Sequence, residues 1–195
     1  MMASHREGHR VLNEDGLVDV AFGTGLLSAA LYLGFDPAAR VRLAAIAALA
    51  PLVIVLVIGM MRRRLTYPRI GRAGLPAVGA VPGLSIVLTA LFFSGLAAFL
   101  VFGTGHGATP PGLMWLLRGL LLAAAGALVA LGVRTGLGRF HIHAGVITLS
   151  VLGVWLFLRA THAAVTVMVA VPGAVLLVTG MVVFARFLHK YSPLE

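Results

Sequence analysis

The sequence predicts an all-α fold: a polytopic transmembrane helix bundle of about six spans with both termini cytoplasmic. Three observations predict it. Of the 195 residues, 60% are hydrophobic and only 11% are charged, against about 25% charged in an ordinary soluble domain. The apolar residues fall into six runs, each close to the ~20 residues that cross ~30 Å of hydrocarbon at ~1.5 Å per residue. The basic residues gather in alternate connections between those runs.

The elements follow in order. Residues 1–16 are hydrophilic, carry His5, Arg6, His9 and Arg10, and read as a cytoplasmic N-terminal segment. The first span is 17–35. A secretory signal has an apolar region of about 7–15 residues and a cleavage site; this run is longer and starts in an acidic cluster, so it reads as uncleaved. The second span, 41–61, leads into a cytoplasmic basic loop holding Arg62, Arg63, Arg64, Tyr67, Pro68, Arg69, Gly71 and Arg72. Pro68 and Gly71 predict a turn there. The third span is 81–103. A Gly/Pro connection precedes the fourth, 112–133, and Arg134 to Arg139 precede the fifth, 140–158. The sixth is 163–188, and 189–195 form a cytoplasmic tail. The spans make one domain, 17–188. Lipid offers the backbone no hydrogen-bond partners, so each span is expected to be helical. The alternation of a membrane barrel is absent.

Charge orients the bundle. With the N-terminus inside, the inner segments hold Arg6, Arg10, the five loop arginines, Arg134, Arg139, Arg186 and Lys190, eleven in all. The outer loops hold Arg40, Arg42 and Arg159, and Arg118 falls inside a span. Cytoplasmic loops of membrane proteins carry this excess. The net charge of +9 is therefore read as topology, with no nucleic-acid partner.

The polar inventory excludes much chemistry. There is no cysteine, so disulfides, thiolate metal sites and Cys nucleophiles are out. The acids are Glu7, Glu14, Asp15, Asp19, Asp36 and Glu195, and no Asp, Glu, Asn or Gln occurs from Pro37 to Leu194. Proton coupling through an acid of spans two to six is not expected. Acid–base catalysis would fall to His, Ser and Thr, so no enzyme activity is expected and no catalytic residue is assigned.

Three residues are candidates for binding. Arg118 lies inside the fourth run, where a charge costs about 2.5–3.5 kcal/mol on insertion scales. It reads as an anion or headgroup contact, as the partner of an acid on the first helix, or as an arginine snorkelling to the interface. Asp15 and Asp19, four apart, share a face at the inner end of the first helix. They read as a cation site, as a docking pair for the basic loop, or as caps at a helix N-terminus. The loop itself would attract anionic headgroups at roughly 1 kcal/mol per basic residue.

His106, His141, His143, His162 and His189 read as interfacial. A membrane haem needs two facing axial ligands, and no histidine spacing fixes one; neither a cofactor nor a metal is expected. Gly119 with Ala123, Gly126 with Ala130, Gly95, Gly145 and Gly153 are expected to let helices approach closely. Pro51 and Pro172 are expected to kink their spans. A weak echo, Pro51 with Gly59-Met60 against Pro172 with Gly180-Met181, and Gly23-x-x-x-Leu27-Ser28 against Gly145-x-x-x-Leu149-Ser150, is matched equally well by chance or by duplication of a hairpin.

Several segments together carry a resemblance: Asp15-Gly16-Leu17 with Phe22-Gly23, then Arg64-Leu-Thr-Tyr67-Pro68-Arg69-Ile-Gly71, Gly138-Arg139-Phe140 and Arg186-Phe187-Leu188. The chain resembles a group of uncharacterised bacterial multi-pass membrane proteins with a Thr-Tyr-Pro-Arg-x-Gly cytoplasmic loop. It departs from that pattern after the glycine, where the group has an aromatic residue and this chain has Arg72. The resemblance implies the fold and the bacterial cytoplasmic membrane, and no activity.

Three functions are compatible with these features. The first is an accessory or scaffold subunit that contacts lipid or another membrane protein, with a homo-oligomer as one form. The second is a small permease or carrier for an anionic or apolar solute. The third, least favoured, is a haem or other redox membrane protein.

Overall fold

A computed structural model describes residues 14–35, 49, 53–54, 56–70, 111–157 and 162–191. The described residues are helical, with no strand among them. We label the elements α1 (Leu17–Gly34), a π-helical turn (Arg62–Thr66), α2 (Tyr67–Ile70), α3 (Pro111–Thr135), α4 (Arg139–Phe157) and α5 (His162–Lys190). Four of these helices, α1, α3, α4 and α5, are long and apolar enough to cross a membrane. The expected third span, 81–103, and most of the second lie outside the described residues.

Hydroxyls within the spans are satisfied by their own helices. Ser28, Thr148 and Ser150 each donate to the carbonyl four residues back, at 2.8–2.9 Å. This back-bonding is how a hydroxyl is tolerated mid-helix in a medium that supplies no water. At ~1.5 Å per residue the 29 residues of α5 reach about 43 Å, longer than the hydrocarbon. Pro172 lies inside α5, and its missing N–H marks where the helix can bend.

The core lies between α1, α3, α4 and α5. Leu117, Leu121, Phe140, Ile147, Met168 and Leu176 are fully buried there. α3 and α4 form an antiparallel hairpin. Gly136 closes α3 in the left-handed region, φ 69°, and donates its N–H to Gly132 O at 2.8 Å, the helix-ending geometry that favours glycine.

α1 runs antiparallel to α5 along a glycine seam. A Cβ at Gly23 would strike the Leu177 backbone, one at Gly180 would lie 2.6 Å from Val20 N, and one at Gly173 3.0 Å from Leu27 N. At Gly16 it would lie 2.6 Å from Gly180 O. Among the described residues, Gly119, Gly126, Gly145 and Gly153 have nothing within 4 Å of where a Cβ would lie; Gly95 lies outside the described residues. The close approach is made by other glycines, because it depends on which faces meet and not on how small they are.

The basic segment is also corrected. Instead of a turn at Pro68, helix continues from residues 56–61 through the π turn and on to Ile70. A proline ring clashes with the carbonyl four residues earlier in a regular helix. The wider coil of the preceding π turn relieves that clash. Gly71 and Arg72 lie outside the described residues.

Candidate functional site

The acidic cluster of the first helix is the centre of an ionic network at one end of the bundle. Asp15 precedes α1 and is completely buried. Its Oδ1 accepts from the Leu17 backbone N–H at 3.0 Å, capping the helix start. Gly16, φ 71°, makes the tight turn between them, a conformation that side chains with a Cβ rarely adopt.

Asp15 Oδ2 also accepts from Arg62 Nε at 3.1 Å and from Thr66 Oγ1 at 3.4 Å, and Arg62 Nη2 reaches Oδ1 at 3.4 Å. The π turn places Arg62 and Thr66 on this one carboxylate. Its i→i+5 bonds widen the coil, so residues four apart point in nearly the same direction. Burial pushes the Asp15 carboxyl above the ordinary 3.8, and the Arg62 guanidinium offsets this in part.

One turn further, Asp19 is buried at 1% exposure and faces α4. Arg139 Nε lies 3.2 Å from its Oδ2, and His143 Nδ1 lies 3.4 Å from its Oδ1. Both are ion-pair separations at angles outside hydrogen-bond geometry. His143 Nε2 is 2.9 Å from Thr179 Oγ1 on α5. Gly180 makes this meeting possible, since a Cβ there would lie 2.9 Å from Asp19 Cβ. At the rim, Glu14 and Lys190 are 3.9 Å apart.

Arg118 is not part of this network. Its guanidinium lies 5.0 Å from the centre of the Trp115 ring, toward the other end of α3. Trp115 in turn meets Trp155 edge-on, with ring centres 6.5 Å apart. Both tryptophans are more than half exposed, as aromatic residues are where a bilayer meets water. Asp15 and Asp19 therefore stand together, and Arg118 stands apart from them.

Four members, Thr66, Arg139, His143 and Thr179, were not among the candidate binding residues singled out from the sequence. His143 counted among interfacial histidines, yet it is 2% exposed; His141 beside it is exposed. The available signal was spacing: Arg139 and His143, four apart, share a helix face just as Asp15 and Asp19 do. Thr179 carried no signal, because a lone threonine in an apolar run ordinarily bonds its own backbone.

Among the described residues, no three His, Asp or Glu side chains converge as metal ligands do. What the arrangement offers chemically is a sealed carboxylate, an imidazole and a hydroxyl in line, flanked by guanidinium groups. Comparison with protein-family models, curated proteins and solved structures found no match.

Proposed function

We propose that the protein is a non-enzymatic, multi-pass accessory or scaffold subunit of the bacterial cytoplasmic membrane that docks a transmembrane helix of another membrane protein. One observation carries the reading. Gly119, Ala123, Gly126 and Ala130 form a single ridge on α3 and all four are exposed. Among the described residues, neither glycine has a neighbour within 4 Å of where a Cβ would lie. Small residues at this spacing let another helix approach closely, and packing of this kind drives association in lipid.

The ionic network supports the same reading. Asp15, Asp19 and Glu14 each lie at ion-pair distance from a basic side chain of this chain, so they serve to join the bundle. Exposed Arg63, Arg64, Arg134 and Arg186 supply a surface for anionic headgroups.

Six crossings with both ends inside are part of the proposal. Asp15 and Arg62 meet at one end, while α1 ends at the other. An α1 that ends at the far end from Arg62, and an α3 that starts at the Trp115 end, are what this topology requires.

The test is purification in mild detergent. The expected result is a co-purifying membrane protein that is lost in a Gly119→Ile, Gly126→Ile double variant of unchanged helical content. A strictly monomeric protein with no partner counts against the reading.

A second reading, a carrier for an apolar solute, has one observation in its favour. An open cavity of about 360 Å³ lies between α1 and α5, lined by Leu27, Leu31, Phe35, Thr166 and Ala170 among others. Flux into proteoliposomes tests it. Absence of flux removes it, and flux unchanged by Arg118→Ala removes any version that relies on Arg118.

A further inference from the structure

The hydrogen-bond geometry around Thr179 limits where protons can sit in the buried cluster. Thr179 Oγ1 lies 2.7 Å from Val175 O and 3.2 Å from Leu176 O. Carbonyl oxygens only accept, and a hydroxyl has a single hydrogen to give. With that hydrogen on Val175, Thr179 is left as an acceptor toward His143. His143 Nε2, 2.9 Å away, then carries hydrogen.

The other ring nitrogen now matters. In a neutral imidazole protonated at Nε2, Nδ1 presents a lone pair. Here it faces Asp19 Oδ1 at 3.4 Å, also a lone pair, in a site where both residues are at most 2% exposed. One further proton removes the conflict. Asp19 Oδ2 is paired with Arg139 at 3.2 Å, so that proton is placed on Nδ1. When it leaves, the alternative neutral form keeps hydrogen on Nδ1, facing Asp19, and leaves Nε2 bare. The Thr179 hydroxyl must then turn from Val175 to His143.

We propose that Asp19, His143 and Thr179 form a reversible proton-binding site inside the membrane domain, in which the Thr179 hydroxyl turns between the Val175 carbonyl and His143 as the proton comes and goes. The site joins three helices, α1, α4 and α5, so proton binding acts on their packing. Its surroundings leave few competitors. On α4 the charged neighbour is Arg139, four residues from His143. On α1, Asp15 and Glu14 are engaged with Arg62 and Lys190. Between residues 163 and 185 of α5 no ionisable residue occurs, and between 119 and 133 of α3 none either. Residues 71–110 hold only Arg72 and His106 as ionisable side chains. The proposal is independent of helix docking on α3.

The experiment is ¹⁵N NMR of the histidine rings of the full chain in lipid nanodiscs, from about pH 5 to about pH 8, the range in which histidine charge ordinarily changes. The expected result is a His143 ring protonated on both nitrogens at the acid end and on Nδ1 alone at the alkaline end. Asp19→Asn, which removes the carboxylate beside the ring, is expected to move the midpoint measurably. Thr179→Val is expected to abolish the coupling between ring protonation and the neutral Nδ1–H form. A wild-type ring fixed in one protonation state across the range overturns the proposal without reference to any variant. So does a midpoint unmoved by Asp19→Asn in a chain of native helical content.

Discussion

Arg62 and Asp15 are 47 residues apart in sequence and join the start of the first helix to the first residue of the π-helical turn. Breaking a buried pair leaves a charge without its partner and costs about 3–5 kcal/mol. The Arg62 side chain is 25% exposed, so the low end of that range applies. Arg62→Ala is expected to lower unfolding stability in mixed micelles by about 3 kcal/mol, and by distinctly less in an Asp15→Asn background. The pH dependence has a definite sign. Burial raises the folded carboxyl above 3.8, so the folded state holds the proton more tightly than the unfolded chain. The stability linked to that proton is complete below 3.8 and is lost as pH rises through the folded value. The defect of Arg62→Ala is therefore expected to shrink as the medium is acidified, measured as the difference in unfolding midpoint from the wild type. A defect that grows in acid would contradict this account of Asp15. The sequence made this pair legible as one option, since the acids of the first helix and the adjacent basic loop were the obvious opposites. It did not reveal the π turn, because coil width depends on how the segment packs.

At the scale of elements, two kinds of glycine face separate. Gly16 and Gly23 on one side, and Gly173 and Gly180 on the other, hold α1 against α5 at backbone distance. Overpacking such a contact costs about 1–3 kcal/mol and more where backbone must move. Gly180→Leu is expected to fall at or beyond the upper end and also to separate Asp19 from Thr179. Gly145→Leu, which meets open space, is expected to stay within about 0.5 kcal/mol. Unfolding of both variants under the same conditions checks the contrast; equal losses would refute the seam. The sequence displayed all these glycines alike. Nothing in the α3 motif Gly119-x-x-x-Ala123 says which helix it meets; among the described residues Gly119 meets none. The internal echo divides along the same line: Gly180 is tightly packed while its counterpart Gly59 has open space, and Gly23 is tightly packed while Gly145 is not. Similar motifs here do different work.

At the scale of the molecule, the charged and polar cluster lies at one end and the tryptophan pair at the other, with apolar helix surface between. Val133, Ile142, Leu149 and Phe157 are each at least two-thirds exposed, a surface that only lipid or another apolar protein can cover without penalty. Composition and run length made the membrane-spanning helices legible, because the bilayer imposes length and apolarity on each span separately. The connections between faces were not legible, because long-range pairing is not written in any one run.

The central claim is that the helices cross the bilayer in alternation with the ionic end inside. The absence of cysteine allows a direct measurement: single cysteines at Gly138, Ala163 and His189, probed with a membrane-impermeant maleimide in intact cells and after lysis. Ala163→Cys is predicted to label in intact cells, and Gly138→Cys and His189→Cys only after lysis. Labelling of Gly138→Cys and Ala163→Cys from the same side, or release of the protein from membranes by carbonate, would contradict the account.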